Sequence, residues 1–277
     1  MSDERKIKVA CVQLRCTDDM NENIATTSSF VRQAARDGAR FVATPENTNL
    51  MAPDGGAKLE KTFVEKNDPS VPAFAALANE LNIWLLIGSV AIKVSDTLTA
   101  NRSYLFGPDG KVEARYDKIH LFDVQVADGE SYRESRTVAP GNEAVVANLP
   151  WARIGLTVCY DLRFPQLYRA LAKAGAEILT VPSAFTVPTG KAHWHVLMRA
   201  RAIENECFVI APAQGGLHAN GRSTYGHSLI VSPWGEILAE ASDDPGIVSA
   251  EIDLAQIGKI RGRLPSLQHD RPFHLPQ

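Results

Sequence analysis

Apolar positions along the chain switch repeatedly between two spacings. Ile7–Leu14 is an apolar run of strand length, Asn21–Asp37 shows helical spacing, and Ala39–Pro45 is strand-like again. The pattern then predicts a helix over Pro72–Leu81 and a strand over Ile83–Ile92. A hairpin follows, Arg102–Phe106 and Lys111–Tyr116, turned at Gly107-Pro108-Asp109-Gly110. The same order begins afresh at Arg153. A strand ending at Cys159 precedes a helix from Pro165, a strand over Ala176–Pro182, a helix over Ala192–Glu206 and a strand over Phe208–Pro212. A second hairpin closes the series, His227–Val231 and Glu236–Glu240 around Ser232-Pro233-Trp234-Gly235.

The two halves also rhyme locally: Asp37-Gly38-Ala39-Arg40-Phe41-Val42-Ala43-Thr44-Pro45-Glu46 resembles Ala174-Gly175-Ala176-Glu177-Ile178-Leu179-Thr180-Val181-Pro182-Ser183. Two β-rich α/β halves of matching order predict two similar sheets packed face to face with helices outside. That is an α/β fold, a four-layer α-β-β-α sandwich with an internal pseudo-twofold; two unrelated α/β lobes are the alternative. No Gly/Ser-rich stretch separates the halves, so residues 1–277 read as one domain with a tail from about Leu254. The tail carries one amphipathic patch (Ile257, Ile260, Leu264) and then Pro265, Pro272 and Pro276, which predicts an extended segment needing an outside surface, such as a second subunit. The polar, turn-rich stretch Phe122–Asn142 reads as a loop near a site.

Composition narrows the partners. A formal net charge of −3 gives no support for nucleic-acid or anionic-membrane binding. No apolar stretch approaches the roughly 20 residues of a membrane span. Met1–Lys8 is charged and lacks the apolar core of a secretory signal. The four cysteines, Cys11, Cys16, Cys159 and Cys207, form no CxxC pair, which fits a reducing cytosol.

Cys159 ends the apolar run Arg153-Ile154-Gly155-Leu156-Thr157-Val158, and the polar stretch Tyr160-Asp161-Leu162-Arg163-Phe164-Pro165 follows at once. Leu167, Ala170, Leu171 and Ala174 then have helical spacing, so the segment reads as strand, sharp turn, helix. Such a turn lifts a nucleophile out of the sheet and aims the first N–H groups of the helix at whatever it attacks. A lone cysteine is equally an ordinary core residue, and Cys11 and Cys207 read that way, as Trp151, Trp194 and Trp234 read as packing residues.

A thiol nucleophile needs a proton acceptor and a stabiliser for the oxyanion it creates. Histidine is the familiar acceptor, but His193 and His195 fall in a helical stretch, His269 and His274 in the tail, and His120 in a loop. A Cys–His protease stays open as an alternative. His193 and His195 lie two apart, on different helix faces, which argues against a shared metal. Strand ends offer more: Glu46 follows Phe41-Val42-Ala43-Thr44-Pro45, at the edge where such sheets bind ligands, and Lys118 follows the hairpin strand. Singly, each reads as a surface charge.

Together, three blocks resemble the signatures of the nitrilase (carbon–nitrogen hydrolase) superfamily. They are Pro45-Glu46-Asn47, Tyr116-Asp117-Lys118-Ile119-His120-Leu121-Phe122-Asp123, and Gly155-Leu156-Thr157-Val158-Cys159-Tyr160-Asp161-Leu162-Arg163-Phe164-Pro165. The likeness runs from the first strand to Pro272, and the fold it implies is the sandwich described above. It implies that Cys159 is the nucleophile, Glu46 the general base and acid, and Lys118 the oxyanion stabiliser together with the Tyr160 N–H. A second glutamate matches at Tyr132-Arg133-Glu134-Ser135 ahead of Ala139-Pro140-Gly141, which makes Glu134 the candidate, with Glu130 and Glu143 close by. Desolvation beside a second carboxylate is expected to raise the Glu46 pKa toward neutrality. The resemblance implies neither metal nor organic cofactor.

The block after Cys159 resembles the Nit branch of ω-amidases and deaminated-glutathione amidases, as do Pro182-Ser183-Ala184-Phe185, Thr189-Gly190-Lys191-Ala192-His193-Trp194 and Arg199-Ala200-Arg201-Ala202-Ile203-Glu204-Asn205. Ala213-Gln214 and Tyr225-Gly226-His227-Ser228 are closer to the second group. The implied substrate is a small amide bearing a carboxylate, bound by Arg163 and Thr189, although Arg163 could equally serve a structural salt bridge. Acyl transfer and a non-catalytic binding role are the other readings of the fold. The resemblance also implies a homodimer or larger homo-oligomer in the cytoplasm.

Overall fold

Two sheets carry the repeated order. The computed structural model describes residues 5–127 and 130–275; the charged start Met1–Glu4 and the tail proline Pro276 lie outside that range. In chain order the helices are α1 (Met20–Arg36), α2 (Gly55–Lys61), α3 (Ser70–Leu81), α4 (Pro165–Lys173), α5 (Val187–Asn205) and α6 (Ala255–Arg263). No helix among the described residues is long and apolar enough to cross a membrane.

One sheet runs Gly246–Asp253, Lys6–Gln13, Phe41–Ala43, Trp84–Lys93, Thr99–Phe106, Val112–Asp117, with Val138–Ala139 beside Thr99–Phe106. Its Lys6–Gln13, Phe41–Ala43 and Trp84–Lys93 are parallel, and the flanking strands antiparallel. The other runs Ile237–Glu240, Leu229–Val231, Phe208–Ala211, Ile178–Thr180, Arg153–Leu156, Val145–Asn148 and repeats that scheme. The periodicity had not shown that each parallel set starts beside an antiparallel edge strand. In the second sheet that strand is Val145–Asn148, just upstream; in the first it is Gly246–Asp253, from the far end of the chain.

Alternation along the strands places the core. Val9, Cys11, Phe41, Ala43 and Leu86 of the first sheet share one core with Ile154, Leu156, Ile178 and Val209 of the second. Their neighbours Ala10, Val12, Val42, Leu85 and Ile87 point the other way, against Val31 and Ala34 of α1 and Phe74 and Leu77 of α3. Trp194 and Met198 of α5 and Leu171 of α4 cover the second sheet. These are the four expected layers.

Helix ends follow local chemistry. Asp19 caps α1, its carboxylate accepting from the N–H groups of Asn21 (2.8 Å) and Glu22 (3.1 Å). The helix α5 begins at Val187 rather than Ala192, because Pro188 fits a first turn, where its missing N–H costs nothing. The helix α2 escaped the periodicity: it opens on Gly55-Gly56 and buries no residue, and Asp54 caps it through the Ala57 N–H (2.9 Å). The stretch read as a loop, Phe122–Asn142, holds a hairpin of Asp123–Ala127 and Glu130–Arg133 and a 3-10 turn at Glu134–Arg136.

The tail finds its surface on this chain. Arg261 donates to the Ala176 carbonyl (2.8 Å), the Ser266 hydroxyl donates to Glu206 (2.8 Å), and Asp270 pairs with Arg169 and Lys173 of α4. As far as Asp270 no second subunit is needed to hold it. Phe273 and Leu275 beyond it are exposed.

The two rhyming strands end in prolines that meet over Gly88. A Cβ there would lie 2.0 Å from the Thr44 carbonyl oxygen, 2.3 Å from Pro182 Cβ and 2.6 Å from the Pro45 carbonyl oxygen. Gly88→Ala is therefore expected to cost about 1–3 kcal/mol or more in a urea titration and to depress turnover, because the strand ends it forces apart carry Glu46 and Ala184. An Ala variant with the wild-type midpoint would refute so close an approach.

Candidate active site

Four chain segments converge at one end of the two sheets. Glu46 follows Pro45, and its backbone is tied down on both sides: the Glu46 carbonyl accepts from Gln214 Nε2 (3.0 Å), and the Asn47 N–H donates to Ser89 Oγ (2.9 Å). Lys118 follows Val112–Asp117, its N–H donating to the Asn101 carbonyl (3.0 Å). Glu134 heads the 3-10 turn behind the small hairpin. Cys159 opens the 3-10 turn Cys159–Arg163 in the left-handed region (φ 49°), its N–H donating to the Pro182 carbonyl (2.9 Å).

A non-glycine residue in that conformation is strained and persists only where its surroundings fix it. Asp161 supplies much of the fixing. Its fully buried carboxylate accepts from the Val158 N–H (2.8 Å), Tyr116 Oη (2.6 Å) and the His120 N–H (3.0 Å), with His120 Nδ1 at 2.7 Å. One side chain thus locks the Cys159 turn to the residues on both sides of Lys118. Arg201 of α5 adds to this, donating twice to the Leu162 carbonyl (3.0 and 2.7 Å).

The Lys118 ammonium, 2 % exposed, lies between two carboxylates: 2.8 Å from Glu46 Oε1 and 2.9 Å from Glu134 Oε2. Asn101 Nδ2 bridges the same pair, donating to Glu46 Oε1 (2.9 Å) and Glu134 Oε1 (3.2 Å). Backbone donors add to these, Ala184 to Glu46 Oε2 (3.0 Å) and Phe122 to Glu134 Oε2 (2.7 Å). Asn101 and Ala184 carried no signal in the sequence; a buried Asn in a strand and a backbone N–H look like any other.

Burial is the largest influence on the Glu46 carboxyl and pushes its pKa up, but the Lys118 ammonium, its hydrogen bond, the Cys159 thiol and Arg222 outweigh it and hold the pKa near about 2. The rise toward neutrality expected from the sequence is therefore reversed, since that expectation weighed desolvation without the ion pair. Burial and then the Glu46 charge drive the Cys159 thiol well above the ordinary thiol range, against the pull of Lys118. Burial opposes the charge of Lys118, yet Glu134 and Glu46 keep it firmly an ammonium. The resting set is a thiol, a carboxylate and an ammonium, all three lining one cavity.

These residues line a cavity of about 240 Å³, which also takes in Thr189, Tyr160, Lys58 and Arg222. Arg163, expected to hold the substrate carboxylate, is not among the lining residues. Its guanidinium reaches His193 Nδ1 (3.2 Å) and lies over the Tyr160 and Phe185 rings, because the turn ends by facing α5. Glu143 is exposed and outside the cavity lining. His195 turns away from His193 to join His227 and Glu240, whose ligand atoms lie within 4.8 Å of one another; none of the three lines the cavity. Cys11 and Cys207 are buried in the core, as is Trp194.

The pattern of a family described as carbon–nitrogen hydrolase matches residues 8–262. A deaminated glutathione amidase of Yersinia enterocolitica is 40% identical over 271 residues, covering 96% of this chain and 94% of its own length. The chain belongs to the carbon–nitrogen hydrolase family. An ω-amidase of Homo sapiens is 36% identical to this hydrolase, with 95% of each covered. The crystal structure of the C. elegans NitFhit protein matches the hydrolase with a TM-score of 0.90 at 33% identity over 96% of the chain; the chain spans 65% of that longer protein. The four-layer sandwich is thus the family's fold.

The low Glu46 pKa makes a testable link to stability. A carboxyl held at about 2, against an ordinary 4.5, stabilises the fold above the upper value and loses that contribution as pH falls toward the lower one. Unfolding free energy should therefore drop more steeply between about pH 5 and pH 2 in the wild type than in Glu46→Gln. Equal slopes in denaturant titrations would contradict the assignment.

Proposed function

We propose that this hydrolase cleaves deaminated glutathione at its 2-oxoglutaramate amide, giving 2-oxoglutarate and Cys-Gly through a thioester on Cys159. The observation that carries the mechanism is a buried thiol on a strained backbone, lining one cavity with Glu46, whose carboxylate shares Lys118 with Glu134.

Sulfur attacks the amide carbon as its proton passes to Glu46, so free thiolate never accumulates in the resting site. Charge moves to the carbonyl oxygen, where Lys118 and the Tyr160 N–H receive it; that N–H is the second of the turn Cys159–Arg163 and has no partner inside it. As Lys118 turns toward the oxyanion, Glu46 loses part of the field that held its pKa down and becomes the stronger base that the proton transfer needs. Collapse breaks the C–N bond and Glu46 returns the proton to the departing amine. Glu46 then takes a proton from water, hydroxide oxygen attacks the thioester, and Cys159 leaves with that proton. Glu134 positions Lys118 throughout.

The similarity to the Yersinia amidase supports the substrate, and the similarity to the human ω-amidase favours a second reading, α-ketoglutaramate or a related ω-amide. Four free cysteines suit a reducing compartment such as the cytoplasm. Exposed Val196, Ile203 and Trp234 suit a homodimer, which sedimentation would reveal as twice the 30.2 kDa chain mass.

The test is release of free acid from deaminated glutathione beside α-ketoglutaramate, with Cys159→Ala as control. A higher kcat/KM for the first substrate, lost by a factor of at least about 10⁴ in the variant, is the expected result. Preference for α-ketoglutaramate would move the hydrolase to the second reading. Acyl transfer to an added amine in place of free acid would overturn hydrolysis.

A further inference from the structure

The cavity holds more positive charge than its carboxylates use. Glu46 and Glu134 are both satisfied by Lys118, Asn101 and backbone N–H groups. Arg133 and Asp54, both exposed, line the same space, and so do two partly buried cations, Lys58 of α2 and Arg222 just ahead of the strand Ser223–Tyr225. Each donates to a neutral acceptor: Lys58 Nζ to Asn47 Oδ1 (2.8 Å), and Arg222 Nη2 to the Ala184 carbonyl (2.7 Å). Among the described residues neither is within ion-pair distance of a carboxylate, and Arg222 Nε is buried without a partner. Burial works against the charge of Lys58, and Lys118 and Arg222 add to that, only partly offset by Glu134 and Glu46. Two partly buried cations that face a cavity with no carboxylate of their own in ion-pair distance can take an anion from outside.

Their attachment tells which anion. Lys58 is bonded to Asn47, the residue after Glu46, and Arg222 to Ala184, whose N–H is bonded to Glu46 Oε2. Both cations therefore stand on the Glu46 side of the thiol, and that is the side from which the amine must depart, because Glu46 protonates it. The Tyr132 ring lies 5.5 Å from the Arg222 guanidinium, and Asn220 Nδ2 donates to the Ala52 carbonyl (3.0 Å), which staples the Arg222 turn to the loop ahead of α2. The two charges are thus held in place before any ligand arrives.

We propose that Lys58 and Arg222 form a subsite for a carboxylate on the departing amine, as the C-terminal carboxylate of Cys-Gly would be, and so select amides of carboxylated amines over primary amides. This rests on the proposed reading of the site as a hydrolase of deaminated glutathione. A planar guanidinium gives the carboxylate two parallel donors and the ammonium adds a point charge.

The test compares Arg222→Gln and Lys58→Met with the wild type on deaminated glutathione and on α-ketoglutaramate, whose leaving group is ammonia. Each substitution should lower the ratio of kcat/KM for the two substrates about 10- to 30-fold, mostly through KM, and Arg222→Lys should recover part of it. An unchanged ratio overturns the subsite. Absence of wild-type turnover of deaminated glutathione would instead sink the function reading, and a second measurement then reads the subsite directly: protection of Cys159 from iodoacetamide by Ala-Gly compared with its C-terminal carboxamide. Stronger protection by the free acid, lost in Arg222→Gln, supports the subsite, and equal protection by acid and carboxamide overturns it.

Discussion

The ammonium of Lys118, buried between two carboxylates, is the interaction on which the rest of the site depends. Removing three charges from water costs several kcal/mol each unless every lone pair and proton finds a partner. Here every carboxylate oxygen has at least one donor: Asn101 spans both acids, and the Ala184 and Phe122 N–H groups reach Glu46 Oε2 and Glu134 Oε2. Those donors come from a sheet strand, a hairpin loop and the opposite sheet. The ion cluster can form only when the whole sandwich has closed, so the charge arrangement doubles as a check on assembly.

The internal duplication explains where that cluster sits. Phe41–Ala43 and Ile178–Thr180 occupy matching places in their sheets, and each runs on to a proline; Gly88 lets the two ends touch. One end then contributes a side chain, Glu46, and the other a backbone N–H, Ala184, to the same hydrogen bond. Cys159 shows similar asymmetry. Cys159 lies three residues beyond Arg153–Leu156, and Cys16 three residues beyond Lys6–Gln13. Cys16 is sealed in by Gln214 and the Thr48 carbonyl, whereas Cys159 borders the cavity. Equivalent positions in a repeated fold are both buried, but of the two Cys159 is the one that borders the cavity.

How much of this was legible depended on how each residue reaches the site. Glu46 and Cys159 stand at the ends of apolar runs and Lys118 follows a hairpin strand, so the pattern that marks the strands also marks them. Glu134 was reachable only through resemblance, because its hairpin has too few apolar residues to show a period. Lys58 lies on a helix that opens with two glycines and buries nothing, and Arg222 in a polar turn, so no periodicity could flag either. Arg163 misled for a different reason: proximity in sequence to Cys159 says nothing about which way a side chain leaves a tight 3-10 turn. The strand Gly246–Asp253 stayed hidden because Ile252 is its one fully buried residue.

That last strand imposes an order of events on biosynthesis. Lys6–Gln13 emerges first, yet its antiparallel neighbour is translated some 240 residues later, registered from Lys6 opposite Asp253 to Gln13 opposite Gly246. Until then the first sheet presents an unpaired row of backbone donors and acceptors on an apolar strand, the kind of edge that other chains can add to. The second sheet, by contrast, has Val145–Asn148 beside it before its first parallel strand is made. A nascent chain of this hydrolase therefore passes through a stage, from Leu156 to Gly246, with one half able to complete its edge and the other waiting.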